Sequence, residues 1–310
     1  MTVRAERRAA VVGAGVMGSG IAQVLAVAGW RVALHDPDPA ALSAAPARIR
    51  SSLEVLGWNP APVLSLVRAE ASLASAVAGV ELVVEAGPER LAVKQGIFET
   101  LDRLTPPETV LASNTSAIPI REIAARVTHR ARVLGTHFWN PPQLVRLVEV
   151  VQSDDTDPTH IAWTLAVLAQ AGMRPVHVQA DIPGFVGNRL QHALKREAIA
   201  LVAAGVCDAE TVDTVVKEGF GSRLPYIGPL EQSDLSGLEL TLAIHEVLMP
   251  SLDVTPVAHP LLVEKVAAGE LGASTGQGFR SWAPGQAAAL RERVDRALIE
   301  AARSREAESS

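Results

Sequence analysis

The sequence predicts an α/β protein, a doubly wound parallel sheet followed by an all-α C-terminal domain, on three observations. Short apolar runs alternate with helical patterns through the first half, which is how right-handed βαβ units read and implies a sheet covered on both faces. A glycine-rich turn joins the first apolar run to the first helix. After the breaker Asp181-Ile182-Pro183-Gly184 the strand signal stops and helical patterns follow. The boundary therefore falls near Pro183-Gly184 and gives two domains, 1–183 and 184–310, an ordinary division for a chain of 310 residues.

Taken in order, Ala9 to Val12 reads as a short buried strand. Val16 to Ala28 is helical, with Ile21, Val24, Leu25 and Ala28 on one face. Arg31 to His35 is a second strand, ending at Asp36, and the stretch Leu42 to Leu73 is alanine-rich. Leu82 to Glu85, Val110 to Ser113 and Val133 to Thr136 are further strands, and a helix begins near Leu91. Leu147 to Val151 and Pro175 to Val178 are later strands, with a helix from about Pro158 to Ala171 between them. Beyond the breaker, Phe185 to Ala204 is helical throughout. Ala209 to Lys217, Leu235 to Leu248 and His259 to Ala268 follow the same pattern, and Arg291 to Ser310 is a charged helix that frays at its end.

Composition narrows the function classes. A hydrophobic share of 48% with 20% charged residues is that of a folded globular chain. The net charge of −6 argues against nucleic acid as a partner, although a helix N-terminus can still hold an anionic cofactor at short range. The single cysteine, Cys207, allows no internal disulfide, which fits a reducing cytoplasm. It reads as a small apolar residue in a helix-to-helix turn rather than as a nucleophile. Met1 to Arg8 mixes Arg4, Arg7 and Arg8 with Glu6 and carries no apolar secretory core. The apolar run after it is broken by glycines and too short to span a bilayer, so a cytoplasmic protein without a membrane partner is expected. The eight histidines form no H-x-x-x-H pair and no cluster with cysteine or paired acids, so no metal is expected.

The segment Gly13-Ala14-Gly15-Val16-Met17-Gly18 is a G-x-G-x-x-G. Alone the pattern is weak, but here it follows a predicted strand and opens a predicted helix, the context of a Rossmann-type dinucleotide site. Gly13 allows the tight turn, Gly15 lets backbone approach a pyrophosphate, and Gly18 lets helix pack on strand. The helix N-terminus at Val16 and Met17 offers unpaired N–H groups to the phosphates. Asp36 closes the next strand at the usual distance of about 20 residues beyond the fingerprint. Its carboxylate would take the adenosine ribose hydroxyls and repel a 2′-phosphate. Pro37-Asp38-Pro39 supplies no arginine for such a phosphate, so NAD is the expected cofactor. The competing reading, a structural glycine turn without ligand, is disfavoured by strand, helix and acid together.

Hydride transfer from an alcohol needs a base for the hydroxyl proton, and histidine, with a free pKa of about 6.5, suits that role. A carboxylate on the other ring nitrogen would fix the tautomer and stabilise the imidazolium. His137 ends a predicted strand, at the sheet edge where ligands of such folds gather. Glu149 is the one acid in the apolar run Leu147-Val148-Glu149-Val150-Val151, where an ionised group is costly unless paired. A water-facing edge position for Glu149, or a core role for His137, is the plainer reading of each alone. Two matched oddities on adjacent strands favour function.

These residues resemble the L-3-hydroxyacyl-CoA dehydrogenase family. The matching pieces, in family order, are Gly13 to Gly18, Ser113-Asn114-Thr115-Ser116, His137-Phe138-Trp139-Asn140-Pro141, Leu147-Val148-Glu149-Val150 and Pro183-Gly184-Phe185-Val186-Gly187-Asn188-Arg189. The resemblance implies His137 as general base in oxidation and acid in reduction, oriented by Glu149. It implies that Ser116 binds the substrate oxygen and also meets the cofactor, as Asn114 does. Asn188 would hold the substrate from the other side, and Asn140 would buttress the active-site turn and contact substrate. Glu89 and Lys94 would line the nicotinamide ribose side, and a homodimer through the helical domain is implied. Read without the resemblance, Ser116 is equally an N-cap serine, Asn188 a solvated asparagine and Lys94 a surface lysine.

Two departures bear on the substrate. Where the acyl-CoA enzymes of the family carry a lysine-rich helical region for the CoA phosphates, Leu42 to Leu73 holds Arg48, Arg50 and Arg68 but no lysine. The loop Gly219 to Pro229 is longer than the family's typical version, as in the branch that acts on small carboxylic acids such as pyridine carboxylates. Arg223 in that loop would pair with a substrate carboxylate or is merely solvated, while Arg146 stands where a basic residue is usual. The leading expectation is reversible oxidation of an L-3-hydroxyacyl-CoA to the 3-oxoacyl-CoA, as in fatty acid metabolism. The alternative is the same chemistry on a free small hydroxy acid, carnitine-, gulonate- or pyridine-carboxylate-like. A non-catalytic NAD-binding dimer is a third, disfavoured by the intact set of Ser116, His137, Glu149 and Asn188.

Overall fold

The computed structural model describes residues 6–309; what was expected of Met1–Ala5 and of Ser310 lies outside the described residues. Strand and helix alternate first as β1 (Arg8–Val12), α1 (Val16–Val27), β2 (Arg31–His35), α2 (Pro39–Leu56), α3 (Pro60–Leu64), β3 (Val67–Glu70) and α4 (Leu73–Ala76). They continue as β4 (Leu82–Glu85), α5 (Leu91–Leu104), β5 (Val110–Ser113), α6 (Ile120–Ile123), β6 (Val133–Phe138), β7 (Leu147–Val151), α7 (Pro158–Gln170) and β8 (Arg174–Val178). Helices α8 (Gly187–Ala203), α9 (Ala209–Glu218), α10 (Pro229–Ser236), α11 (Leu238–Leu248), α12 (Pro260–Ala267) and α13 (Gln286–Ser309) complete the chain.

The eight strands form one sheet in the order β3-β2-β1-β4-β5-β6-β7-β8. Side chains of a strand alternate between faces, and β1 shows it: Ala9 and Val11 join Ile21, Leu25, Leu34, Ile49 and Leu53 on one side. Ala10 and Val12 join Phe98, Leu101, Leu111 and Ile120 on the other. The order reverses between β1 and β4, and ligands of such sheets bind at that switch point, outside the carboxyl ends of the strands. The glycine turn after β1 lies there.

The sheet is not parallel throughout, as the sequence pattern led us to expect. β7 runs antiparallel to β6, while β8 is again parallel to β7. Residues 139–146 alone join β6 to β7, too few for a parallel crossover, which needs about a dozen residues. The reversal sets His137 directly opposite Glu149 in the ladder.

Other expectations also change. β3 was hidden in the alanine-rich stretch; it is an edge strand whose Arg68 and Ala69 face water, so it shows no buried alternation. α1 stops at Val27, and Ala28 is exposed instead of sharing the apolar face, because Gly29 (φ 86) turns the chain away. Strand β6 runs on to Phe138 and so contains His137. Phe185 precedes α8 rather than belonging to it, with a left-handed backbone at φ 48. The helix expected over Leu235 to Leu248 is broken by Gly237 at φ 91 into α10 and α11.

The chain forms two compact units. Residues up to Arg189, together with those from Arg296 on, make one, and Leu190–Asp295 makes the other. In the second unit Asp208 caps α9 through the Thr211 N–H and His259 caps α12 through the Leu261 N–H. Cys207, in the α8–α9 turn, is partly exposed. No apolar side chain of Leu190–Asp295 is buried, and Tyr226, Leu230, Leu235 and Val247 are at least 75% exposed. Among the described residues no helix is long and apolar enough to cross a membrane.

Candidate active site

The glycine turn is set by backbone geometry. Gly13 has φ 111, and a Cβ there would lie 2.6 Å from the Ala86 carbonyl oxygen. A Cβ at Gly18 would lie 1.7 Å from the Gly13 oxygen. Gly15 differs: it is exposed, and a Cβ would meet nothing within 4 Å. Its glycine is thus not needed for the protein's own packing, but leaves room for something approaching from outside. Gly15 is the N-cap of α1 and provides no side-chain cap, so the first-turn N–H groups at Val16 and Met17 face outward unpaired. This cradle fits a dinucleotide pyrophosphate. Asp36 Oδ2 accepts the Ala14 N–H at 2.7 Å and Oδ1 accepts the Asp38 N–H at 2.9 Å. Asp36 therefore also anchors the turn, beyond the ribose contact expected of it.

At the end of β4 lies a group the sequence reading missed. Glu85 is fully buried. Its Oε1 accepts from Lys94 Nζ at 2.9 Å and the Gly87 N–H at 2.7 Å, and its Oε2 from Lys94 at 3.0 Å and the Ser113 hydroxyl at 2.7 Å. Lys94 is 1% exposed, which rules out a surface lysine. A buried pair is tolerable when every lone pair and proton has a partner, as here. The signal was the one that flagged Glu149, a single acid in an apolar strand.

Lys94 Nζ also lies 3.5 Å from Glu89 Oε2. The other Glu89 oxygen accepts from the Thr115 hydroxyl at 2.6 Å, the Ser116 N–H at 2.9 Å and the Ala117 N–H at 3.1 Å. Burial pushes the Glu89 carboxyl up, but the Thr115 hydroxyl, the Lys94 charge and the two N–H groups outweigh it and hold the carboxyl below the ordinary range. Glu89 thereby carries the Ser116 loop. Ser116 is not an N-cap, since the helix beyond it is preceded by Pro119. Its carbonyl oxygen accepts from Asn188 Nδ2 at 2.8 Å, so Asn188 is more than a solvated residue and the Ser116 backbone is held at both ends. Asn114 Oδ1 accepts the Phe138 N–H at 2.9 Å, tying the end of β5 beside His137.

His137 is 5% exposed and Glu149 1%. His137 Nδ1 meets Glu149 Oε2 at 2.7 Å, which excludes a water-facing glutamate. Glu149 Oε1 accepts the N–H groups of Val186 at 2.9 Å and Gly187 at 3.0 Å. Burial raises the Glu149 carboxyl, but the bonds from His137 and from those two N–H groups, with the His137 charge, bring it below its ordinary value. The left-handed pair Gly184 (φ 74) and Phe185 (φ 48) presents the two N–H groups. Such a backbone costs Phe185 roughly 1–2 kcal/mol, offset by complete burial of its ring, 5.8 Å from the His137 ring. Trp139 flanks His137 on another side at 5.4 Å. Gly187 is required there, because a Cβ would fall 2.3 Å from the Trp139 ring. His137 Nε2 has no protein partner among the described residues.

Ser116, Glu89, Lys94, Asn114, His137, Glu149 and Asn188 are thus joined by hydrogen bonds, ion pairs or the β-ladder, with Glu85 added. One expected residue does not join them. Asn140 is exposed and makes no hydrogen bond among the described residues, whereas Asn114 is bonded to the Phe138 N–H. Arg223 ends a short turn, Phe220–Arg223, in the second unit and is exposed. Three of the other arginines are engaged: Arg146 Nε donates to the Gly172 carbonyl at 2.6 Å, Arg68 pairs with Glu70 at 2.7 Å, and Arg48 Nη1 donates to the carbonyls of Ala14 at 3.0 Å and Ala41 at 3.3 Å.

Residues 8–182 match the NAD binding domain of 3-hydroxyacyl-CoA dehydrogenase and residues 184–282 its C-terminal domain. The chain is 35% identical to the 5-formyl-3-hydroxy-2-methylpyridine 4-carboxylate 5-dehydrogenase of Mesorhizobium japonicum, over 94% of this chain and 96% of that one. It is 40% identical to a probable 3-hydroxybutyryl-CoA dehydrogenase of Bacillus subtilis, over 87% and 95%. A crystal structure of a 5-formyl-3-hydroxy-2-methylpyridine 4-carboxylic acid 5-dehydrogenase, described as an NAD+ dependent dismutase, superposes with a TM-score of 0.88 at 33% identity, covering 96% of this chain and 97% of that one.

Proposed function

The chain belongs to the 3-hydroxyacyl-CoA dehydrogenase family of NAD-dependent dehydrogenases, and from that premise we propose that its substrate is a free small hydroxy acid rather than a CoA thioester. One observation carries this reading. In the stretch from Leu42 to Leu73, two of the three arginines are spent on protein partners, Arg48 on backbone carbonyls and Arg68 on Glu70. Only Arg50 is left for the several phosphates of CoA, and a multiply charged anion needs more than one such partner. The likeness to the pyridine carboxylate enzyme along nearly the whole of both chains supports the same reading. The likeness to the Bacillus subtilis protein favours the acyl-CoA alternative.

NAD, when bound, supplies the hydride acceptor. His137 Nε2 takes the hydroxyl proton of the substrate. Glu149, anionic and fixed by the N–H groups of Val186 and Gly187, holds Nδ1 protonated and stabilises the imidazolium. The Ser116 hydroxyl binds the substrate oxygen and Asn188 steadies the loop that presents it. Glu89, Lys94 and Asn114 shape the nicotinamide side of the site. Arg223 pairs with the substrate carboxylate. The division into residues 1–183 for NAD and 184–310 for substrate and dimerisation belongs to this proposal. So does a cytoplasmic homodimer, since a second copy would cover the apolar helical surfaces that the chain leaves exposed.

The test follows the loss of NADH absorbance with acetoacetyl-CoA and, separately, with acetoacetate and a panel of 3-oxo and aldehyde acids. Turnover with a free acid, weakened by Arg223→Ala, is expected. Turnover with the thioester alone would refute the small-acid reading.

A further inference from the structure

Arg48 is bound to the wall of the cofactor turn. Its Nη1 donates to the Ala14 carbonyl oxygen at 3.0 Å and to the Ala41 oxygen at 3.3 Å. The Ser19 hydroxyl donates to the same Ala14 oxygen at 3.1 Å. On the other side of the residue, Asp36 Oδ2 takes the Ala14 N–H at 2.7 Å. The two peptide planes that meet at Ala14 are therefore each held by a charged side chain.

In a trans peptide the C=O and the N–H that follows it point in opposite directions. Two donors on the Ala14 oxygen therefore turn the Gly15 N–H away from themselves. Gly15 is exposed, with open space where a Cβ would stand, and its N–H has no acceptor among the described residues. The donor that would meet a pyrophosphate is thus oriented before any ligand arrives. A cationic donor on the carbonyl also polarises the peptide and strengthens the N–H beyond it. In a chain of net charge −6, a fixed cation behind that donor further favours an anion in front of it.

We propose that Arg48 is a positioning residue for the cofactor: it holds the Ala14–Gly15 peptide so that the Gly15 N–H faces the pyrophosphate. This rests on the NAD dependence of the family and not on the substrate reading. It also removes Arg48 from the arginines available to CoA. The side chain does its work without touching the reacting atoms, by preorganising backbone that would otherwise lose freedom on binding.

The experiment titrates NADH fluorescence with Arg48→Met and Arg48→Lys, and measures competition by ADP and by adenosine. In Arg48→Met the Kd for NADH and the Ki for ADP rise about tenfold, the cost of about one well-placed hydrogen bond. The Ki for adenosine, which carries no phosphate, stays put, and kcat at saturating NAD is unchanged within about twofold, since chemistry is not the step perturbed. Arg48→Lys, which keeps a cationic donor, recovers most of the loss. An unchanged Kd for NADH, an equal loss for adenosine, or an effect confined to the KM of a CoA thioester would each overturn the proposal.

Discussion

Replacing Glu149 by glutamine separates the two jobs of this carboxylate. In the native chain one oxygen takes the Val186 and Gly187 N–H groups and the other faces His137 Nδ1. The backbone groups can only donate, so the amide introduced by Glu149→Gln must keep its oxygen toward them and turn its NH2 to the histidine. Nδ1 then becomes an acceptor, the ring proton moves to Nε2, and the nitrogen that should receive the substrate proton is blocked. A misplaced tautomer together with the lost charge lowers kcat by roughly 10²–10⁴-fold. The fold should hardly respond, because both N–H groups of the α8 N-terminus keep their acceptor. Glu149→Ala instead strands those N–H groups and the histidine in a buried site. Breaking such a pair costs roughly 3–5 kcal/mol, which lowers the melting temperature by about 6–20 °C at 2–4 °C per kcal/mol. The assay is NADH turnover at saturating substrate beside thermal unfolding of both variants. Activity of Glu149→Gln within tenfold of wild type would refute the tautomer argument, and an unchanged melting temperature in Glu149→Ala would refute the anchoring of α8.

Further predictions concern the cofactor turn and the Ser116 loop. Gly15→Ala should melt like wild type, since its methyl meets no protein atom, yet bind NADH more weakly; in Gly13→Ala the positive φ and the Ala86 oxygen at 2.6 Å should lower the melting temperature instead, so equal behaviour of the two would contradict the cradle. Glu89 has its carboxyl depressed in the folded state, so the unfolded chain binds the proton more readily. The stability it contributes is complete above the ordinary glutamate value of about 4.3 and is lost as pH falls below that through the folded value. The fall of melting temperature in that acid window should be shallower in Glu89→Gln than in wild type, and parallel curves would count against the bonds to Thr115, Ser116 and Ala117.

Much of this was legible from residues whose neighbours in sequence are also their neighbours in space. The turn from Gly13 to Gly18, the strand edge at Asp36 and the buried acid at Glu149 each carry a local signature. β3 carried none, because Arg68 and Ala69 on an edge strand alternate nothing apolar. The ion pair of Glu85 with Lys94 was readable in half: the acid stood out in Leu82 to Glu85, but its partner sits on a helix that begins only after the next turn. The Asn188–Ser116 bond joins residues far apart in the chain, and no local pattern encodes such a meeting. Phe185 had no sequence sign of a positive φ, which glycine and asparagine ordinarily announce. The direction of β7 was available from the short connection alone, had its length been weighed against what a crossover needs.

The reversal at β7 bears on how this chain can change over generations. Because His137 and Glu149 face each other across a hydrogen-bonded ladder, their meeting is counted out in whole residues. A slip by a single position would bring Val148 or Val150 opposite the histidine and turn the acid to the other face of the sheet. An insertion within either strand is therefore nearly lethal to the chemistry, whereas one in the loop beyond Trp139, which flanks His137, leaves the count in both strands intact. A gap in an alignment falling inside 133–138 or 147–151 would therefore mark a chain that has given up the reaction.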